Sequence, residues 1–296
     1  MATKRKAAKK AKPAKKATAI KRSMRSAMSV ATNTESTVKQ RVAAMAQAPL
    51  AVCESDKDLQ GMLKVLANKD EPIKVRLAAL QSLQAASFSV IAFESCRGDY
   101  IATLRKIADD PDPELRQRVL GILMRDKDGF AQKKLLEGLK NPDKALVPPE
   151  KALQLLSYDV HAEAYSVARA IVKKPPNDDA RREALRLLAA DAASAPLFEK
   201  LLRDKDELRE IRQISASALH ALKPEKLQQN ARRILLDKSD YDDIKATSLT
   251  ALEQFGDDAA LGKDKALLKS VDRLSAGKGP TKYKQSARRF LSKHGP

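Results

Sequence analysis

The sequence predicts an all-α chain: a right-handed α-solenoid of about seven stacked helix pairs, preceded by a disordered basic N-terminal tail. Three observations lead there. A short pattern recurs seven times, with gaps of 40, 33, 32, 31, 33 and 39 residues between its leading positions. Stops rich in Asp and Pro precede most of the recurrences. No segment sustains the period-two alternation of β-branched residues that a strand needs. A regular period of this length marks stacked supersecondary units, each too small to bury its own apolar face alone.

The elements follow in chain order. Residues 1–33 form the tail, rich in Lys and Ala, and an extra helix lies near 35–47. From there to residue 296 the pattern repeats: a basic residue, a small or apolar residue three on, usually an aliphatic four on, and an aliphatic seven on. Arg76 leads to Ala79, Leu80 and Leu83; Arg116 to Val119, Leu120 and Leu123. Pro149, in the place of a basic residue, leads to Leu153 and Leu156. Arg181 leads to Ala184, Leu185 and Leu188; Arg212 to Ser215, Ala216 and Leu219. Lys245 leads to Ser248, Leu249 and Leu252; Lys284 to Ala287 and Leu291. These offsets lie on one stripe of an α-helix. The stops, such as Asp70-Glu71-Pro72, Asp110-Pro111-Asp112-Pro113 and Pro175-Pro176-Asn177-Asp178, supply caps and first-turn prolines. A second apolar helix precedes each stop, so the unit is helix, Asp/Pro turn, helix.

At these residues the chain resembles the HEAT-repeat family, a branch of the armadillo-like α-solenoids. In that family a turn Asp precedes, by six positions, an Arg in the second helix. Here Asp70 precedes Arg76, Asp110 precedes Arg116, and Asp206 precedes Arg212. The repeats led by 181, 245 and 284 depart from this spacing. The resemblance implies the architecture and leaves function open, because one fold hosts many functions.

Two domains are expected: the tail over 1–33, and the solenoid over 34–296 with a basic capping helix at 281–293. Apolar residues make up 43% and aromatics 4%, without tryptophan, which suits close helix stacking. No apolar run is long enough to span a bilayer, and no secretory signal is visible. Cys53 and Cys96 lack metal-ligand or redox-motif spacing, so reduced, buried thiols are expected. An intracellular location follows, in a bacterial cytoplasm or nucleoid, or in a nucleus.

The net charge of +19 sits at the two ends. Residues 1–33 hold eleven basic residues and no acid: Lys4, Arg5, Lys6, Lys9, Lys10, Lys12, Lys15, Lys16, Lys21, Arg22 and Arg25. This segment is similar to linker-histone tails and to lysine-rich nucleoid proteins, a resemblance that implies DNA binding through phosphates without sequence readout. A nuclear-localisation role also fits Lys4-Arg5-Lys6 and Lys15-Lys16. Membrane attachment lacks an apolar anchor. Lys282, Lys284, Arg288 and Arg289 give the last helix a basic face, which also serves as a polar solenoid cap. On the body, Arg118, Arg182, Arg186 and Arg209 are candidates for an exposed phosphate-binding face, while the leading arginines are expected to pair with turn aspartates. Non-specific DNA is the expected partner of a monomer, with a protein or peptide on the concave face as the alternative.

Chemistry-bearing motifs are scarce. None of His161, His220 and His294 is followed by Glu, so the His-Glu pairs of metal-dependent hydroxylases built on HEAT repeats are missing. There is no phosphate-binding loop and no nucleophile constellation. Tyr241-Asp242-Asp243 echoes the Tyr and carboxylate of helical-repeat DNA glycosylases but reads as helix capping. The chain is therefore expected not to be an enzyme, with no cofactor, no metal and no catalytic residue.

Overall fold

The computed structural model describes residues 26–49, 51–53, 55–159, 162–278 and 281–295. Every regular element among them is helical. The chain divides into two compact units, Met1–Ala131 and Gln132–Pro296.

The first unit contains α1 (26–32), α2 (Val38–Gln47), α3 (Asp56–Ala67), α4 (Ile73–Ser87), α5 (Val90–Lys106) and α6 (Pro113–Arg125). α7 (Gly129–Lys140) starts at its end and gives most of its residues to the second unit. There follow a 3₁₀ turn (Pro142–Lys144), α8 (Pro149–Leu156), α9 (Ala162–Lys173), α10 (Asp178–Leu188), a second 3₁₀ turn (Ala192–Ser194), α11 (Ala195–Arg203) and α12 (Arg209–Leu222). The unit ends with α13 (Pro224–Leu236), α14 (Asp242–Phe255), the short α15 (Asp258–Lys263), α16 (Lys265–Ala276) and α17 (Thr281–His294).

The repeat register stands. Of its stripe positions, Ala79, Leu80, Leu83, Val119, Leu120, Leu123, Leu153, Leu156, Ala184, Leu185, Leu188, Ser215, Ala216, Leu219, Ser248, Leu249, Leu252 and Ala287 are all buried. Each unit is all-α and built of HEAT-like helix pairs. Second helices pack on their own partners and on neighbouring second helices, as in α3·α4, α2·α4 and α4·α6 of the first unit and α11·α12, α10·α12 and α12·α14 of the second.

Two expectations need correction. The tail does not run to residue 33: residues 26–32 form α1, with Ala27, Met28 and Ala31 buried. The helix near 35–47 is not an extra. It is the second helix of a further pair, and Arg41 leads to Ala44, Met45 and Ala48 in the same register. Small residues and a methionine replace the usual leucines there, which hides it from an aliphatic template. With α1·α2 counted, eight pairs are described, the others being α3·α4, α5·α6, α7·α8, α9·α10, α11·α12, α13·α14 and α16·α17.

Short polar caps set the helix starts. Thr37 and Gln40 form a reciprocal capping box on α2. Asp112 caps α6 ahead of Pro113, Asn177 caps α10, and Asp264 caps α16. α6 ends in a Schellman motif: the Asp128 amide donates to Leu123 O and the Lys127 amide to Met124 O. Lys127 holds the left-handed position with φ 56°, a place that favours glycine.

Candidate nucleic-acid interface

The basic residues sort into three groups by what their side chains touch. The leading arginines are structural clamps. Arg76 donates from Nε to Leu66 O (3.0 Å), near the end of the preceding helix, and from its two terminal nitrogens to Asp110 (3.2 and 2.5 Å). Arg212 does the same to Leu202 O (2.9 Å) and Asp240 (both 2.7 Å), with the two side chains 0% and 3% exposed. Arg41 holds Ala31 O and Glu71. Arg181 forks onto Glu207 at 2.8 and 2.5 Å. The clamps at Arg41, Arg76 and Arg212 therefore join the first helix of their own repeat to the turn of the next repeat, while Arg181 reaches the next turn alone.

This revises the expected pairing. The acids used are Glu71, Asp110, Glu207 and Asp240, which lie 26 to 34 residues after their arginines rather than a few residues before. Arg116 donates to the main-chain oxygens of Asp110 (2.5 Å) and Pro111 (3.3 Å), while the Asp110 carboxylate serves Arg76. Burial alone would raise the Asp110 carboxyl, but hydrogen bonds from Arg76 and the Asp112 amide outweigh it and hold it below the usual carboxylate range. Fork-to-fork pairing of this kind is geometry that lysine cannot copy. Where the leading residue is Lys245, the side chain reaches only Lys238 O, at 3.3 Å.

A second ladder escaped the sequence reading. Arg105, Arg169 and Arg232, late in the first helices, pair with Asp128, Asp191 and Asp264. Those aspartates in turn accept from backbone amides at the start of the following helical segment, those of Ala131, Ala193 and Leu267. The signal in the chain is an arginine near a helix end and a capping Asp 22 to 32 residues on.

The third group comprises the proposed binding residues. Lys4, Arg5, Lys6, Lys9, Lys10, Lys12, Lys15, Lys16, Lys21, Arg22 and Arg25 lie outside the described residues, as does the side chain of Lys282. The body candidates do not make a bare cationic face. Arg118 pairs with Glu114 at 2.6 Å. Arg182 pairs with Asp179 and, at 3.6 Å, with Glu210. Arg186 pairs with Glu183 and, at 3.4 Å, with Glu210. Arg209 faces Asp243 at 3.7 Å and stacks 4.3 Å from the Tyr241 ring centroid. Along α10, α12 and the start of α14 the charges form an interdigitated band. Phosphates approaching it would have to displace these carboxylates. On α17, Arg289 is held bidentate by Glu253 (2.6 and 2.7 Å) and Lys293 lies 3.1 Å from Asp258. Lys284 is half-buried and Arg288 is exposed, above buried Ala287 and Phe290.

Among the described residues, no group of His, Cys, Asp and Glu is placed to hold a metal ion. His161 lies outside them, and His294 is buried against Phe290 with ring centroids 4.6 Å apart. Asp243 faces Arg209 in the first turn of α14. Burial and a hydrogen bond with Cys96 push the Cys53 thiol up to about 12. No helix among the described residues is long and apolar enough to cross a membrane.

No protein-family model matches the chain, and no curated protein matches it. Among solved structures, the chain is similar to human deoxyhypusine hydroxylase, solved in complex with glycerol, with 14% identity, a TM-score of 0.35, and coverage of 83% of this chain and 99% of that one. That protein is an enzyme, so the expectation that this chain is not one is withdrawn. A likeness this slight transfers no activity.

Proposed function

We propose that the protein is a nucleic-acid-tethered scaffold of the HEAT-repeat family. The cationic N-terminal segment holds phosphates without sequence readout, and the helical body presents its mixed-charge helix faces to a protein partner. One observation carries this reading: the cations divide by whether acids accompany them. Residues 1–25 contain eleven basic residues and no acid. The body arginines proposed for phosphate contact are instead matched with acids at Glu114, Asp179, Glu183, Glu210 and Asp243. Free cations release condensed counterions from a duplex, whereas paired ones must first lose their partners. The interdigitated band on α10, α12 and α14 favours a protein partner for the body over a second duplex-binding face.

The test is fluorescence anisotropy of a labelled duplex across a salt series, with the full chain and with a chain that starts at residue 26, where α1 begins. If most of the eleven cations engage, the full chain should lose roughly 10³–10⁵ in affinity between 50 and 200 mM salt. The shortened chain should bind weakly and with a shallow salt slope. Equal affinity and slope in the two chains would refute the assignment.

A further inference from the structure

The second unit carries one step built unlike the others. In α2, α4, α6, α10, α12, α14 and α17 the leading basic residue is the fourth residue of its helix. α8 instead begins at that register position, Pro149, because two consecutive prolines, Pro148 and Pro149, leave no helical first turn before it. The clamp's acidic end is missing as well. Glu71, Glu207 and Asp240 stand five residues before the next leading residue, and the corresponding residue before Arg181 is Pro176. Both ends of the clamp are proline at this step.

A cavity of about 680 Å³ opens where the turn and the clamp are missing. Pro149 and Pro176 line it, and Leu135, Val147 and Ile171 form its apolar walls. Gly138 lets the turn close over α7, since a Cβ there would come within 2.9 Å of Ala145 Cα. The lining contains no acid and two lysines, Lys140 and Lys174. Lys140 is engaged by Glu163 at 2.5 Å. Lys174 is exposed and makes no ion pair with any described residue.

These features set the chemistry of an occupant. The volume lies within the roughly 300–1,000 Å³ of small-ligand sites. Apolar walls ask for hydrocarbon, and Lys174, the lining cation with no acid paired to it among the described residues, asks for an anionic head. The same rim disfavours the chain's own lysine-rich segment. We propose that this cavity binds a small amphiphilic carboxylate of the fatty-acid class, its chain against the proline and aliphatic walls and its carboxylate at Lys174. The proposal is independent of the nucleic-acid reading.

The experiment is calorimetric titration of the full chain with dodecanoate, at salt high enough to screen the N-terminal lysines, with dodecanol as the uncharged control. Two variants are used. A145W places a large ring at an exposed residue of the lining, and K174E reverses the rim charge. One dodecanoate should bind per wild-type chain, A145W should abolish binding with its melting temperature unchanged, and K174E should weaken it about tenfold or more. Dodecanol should bind wild type and K174E alike. Absence of a one-to-one dodecanoate complex overturns the proposal, and so does equal dodecanoate affinity of wild type and K174E. K174E sits at an exposed side chain, so the test stays decisive if A145W does not fold.

Discussion

At the residue scale, what separates one arginine of this chain from another is water. Arg212 and Asp240 are buried together, so removing one partner leaves an uncompensated charge. Arg212→Met should cost about 3–5 kcal/mol, and adding Asp240→Leu should recover much of that, as chemical denaturation of the single and double variants would show. Arg118 pairs with Glu114 one turn away, with half of each side chain in solvent, and Arg118→Ala should change stability by only about 0–1 kcal/mol. An equal cost at the two sites would contradict the division into clamps and surface pairs. Lys127 offers the opposite case. Its positive φ strains a side chain that glycine lacks, so Lys127→Gly should stabilise by about 0.5–1 kcal/mol, read as a raised melting temperature.

At the element scale, the turns carry the dependence on acid. Burial works against the Asp110 and Asp264 carboxylates, but hydrogen bonds from Arg76 and Arg232 and from backbone amides prevail and hold both below the ordinary range. The unfolded chain therefore binds more protons near the reference value of about 3.9. Stability should be flat above about pH 5 and fall as pH drops through the lowered folded-state values. A melting curve taken against pH checks this, and Asp110→Asn should flatten part of the slope. Helix existence and register were legible in the chain because offsets of three, four and seven need only local geometry. The clamp partners were not. Nothing near Arg76 in sequence marks Asp110 rather than Asp70, since that choice depends on how one repeat stacks on the next. α1 was hidden for a related reason: Ala27, Met28 and Ala31 look too small to build a core until Arg41 ties their helix down.

At the scale of the whole molecule, charge was legible in total and illegible in arrangement. Counting placed the excess at the ends correctly, because that is a property of composition. It could not foresee that Arg182, Arg186 and Arg209 would each meet a carboxylate, some from the next repeat. The salt-series comparison belongs to this scale, since it asks which part of the chain owns the affinity. The cavity beside α8 was visible only as a missing basic residue at Pro149. A gap in a pattern does not say whether neighbours close over it, and here the prolines on both sides hold it open.

The reach of each clamp into the following repeat gives the stack a grammar. Within a unit, a module such as α3·α4 or α11·α12 offers an acid at its front and an arginine behind. A duplicated module can therefore be spliced in beside its parent with both joints satisfied at once, and one can be excised just as cleanly. Lineages of such chains can change length in whole modules without first repairing an interface. The step at α8 breaks that rule: with proline at Pro149 and at Pro176, it offers no hook on either side. A module copied there would inherit an open joint, so growth by duplication should favour the clamped steps and leave this one single.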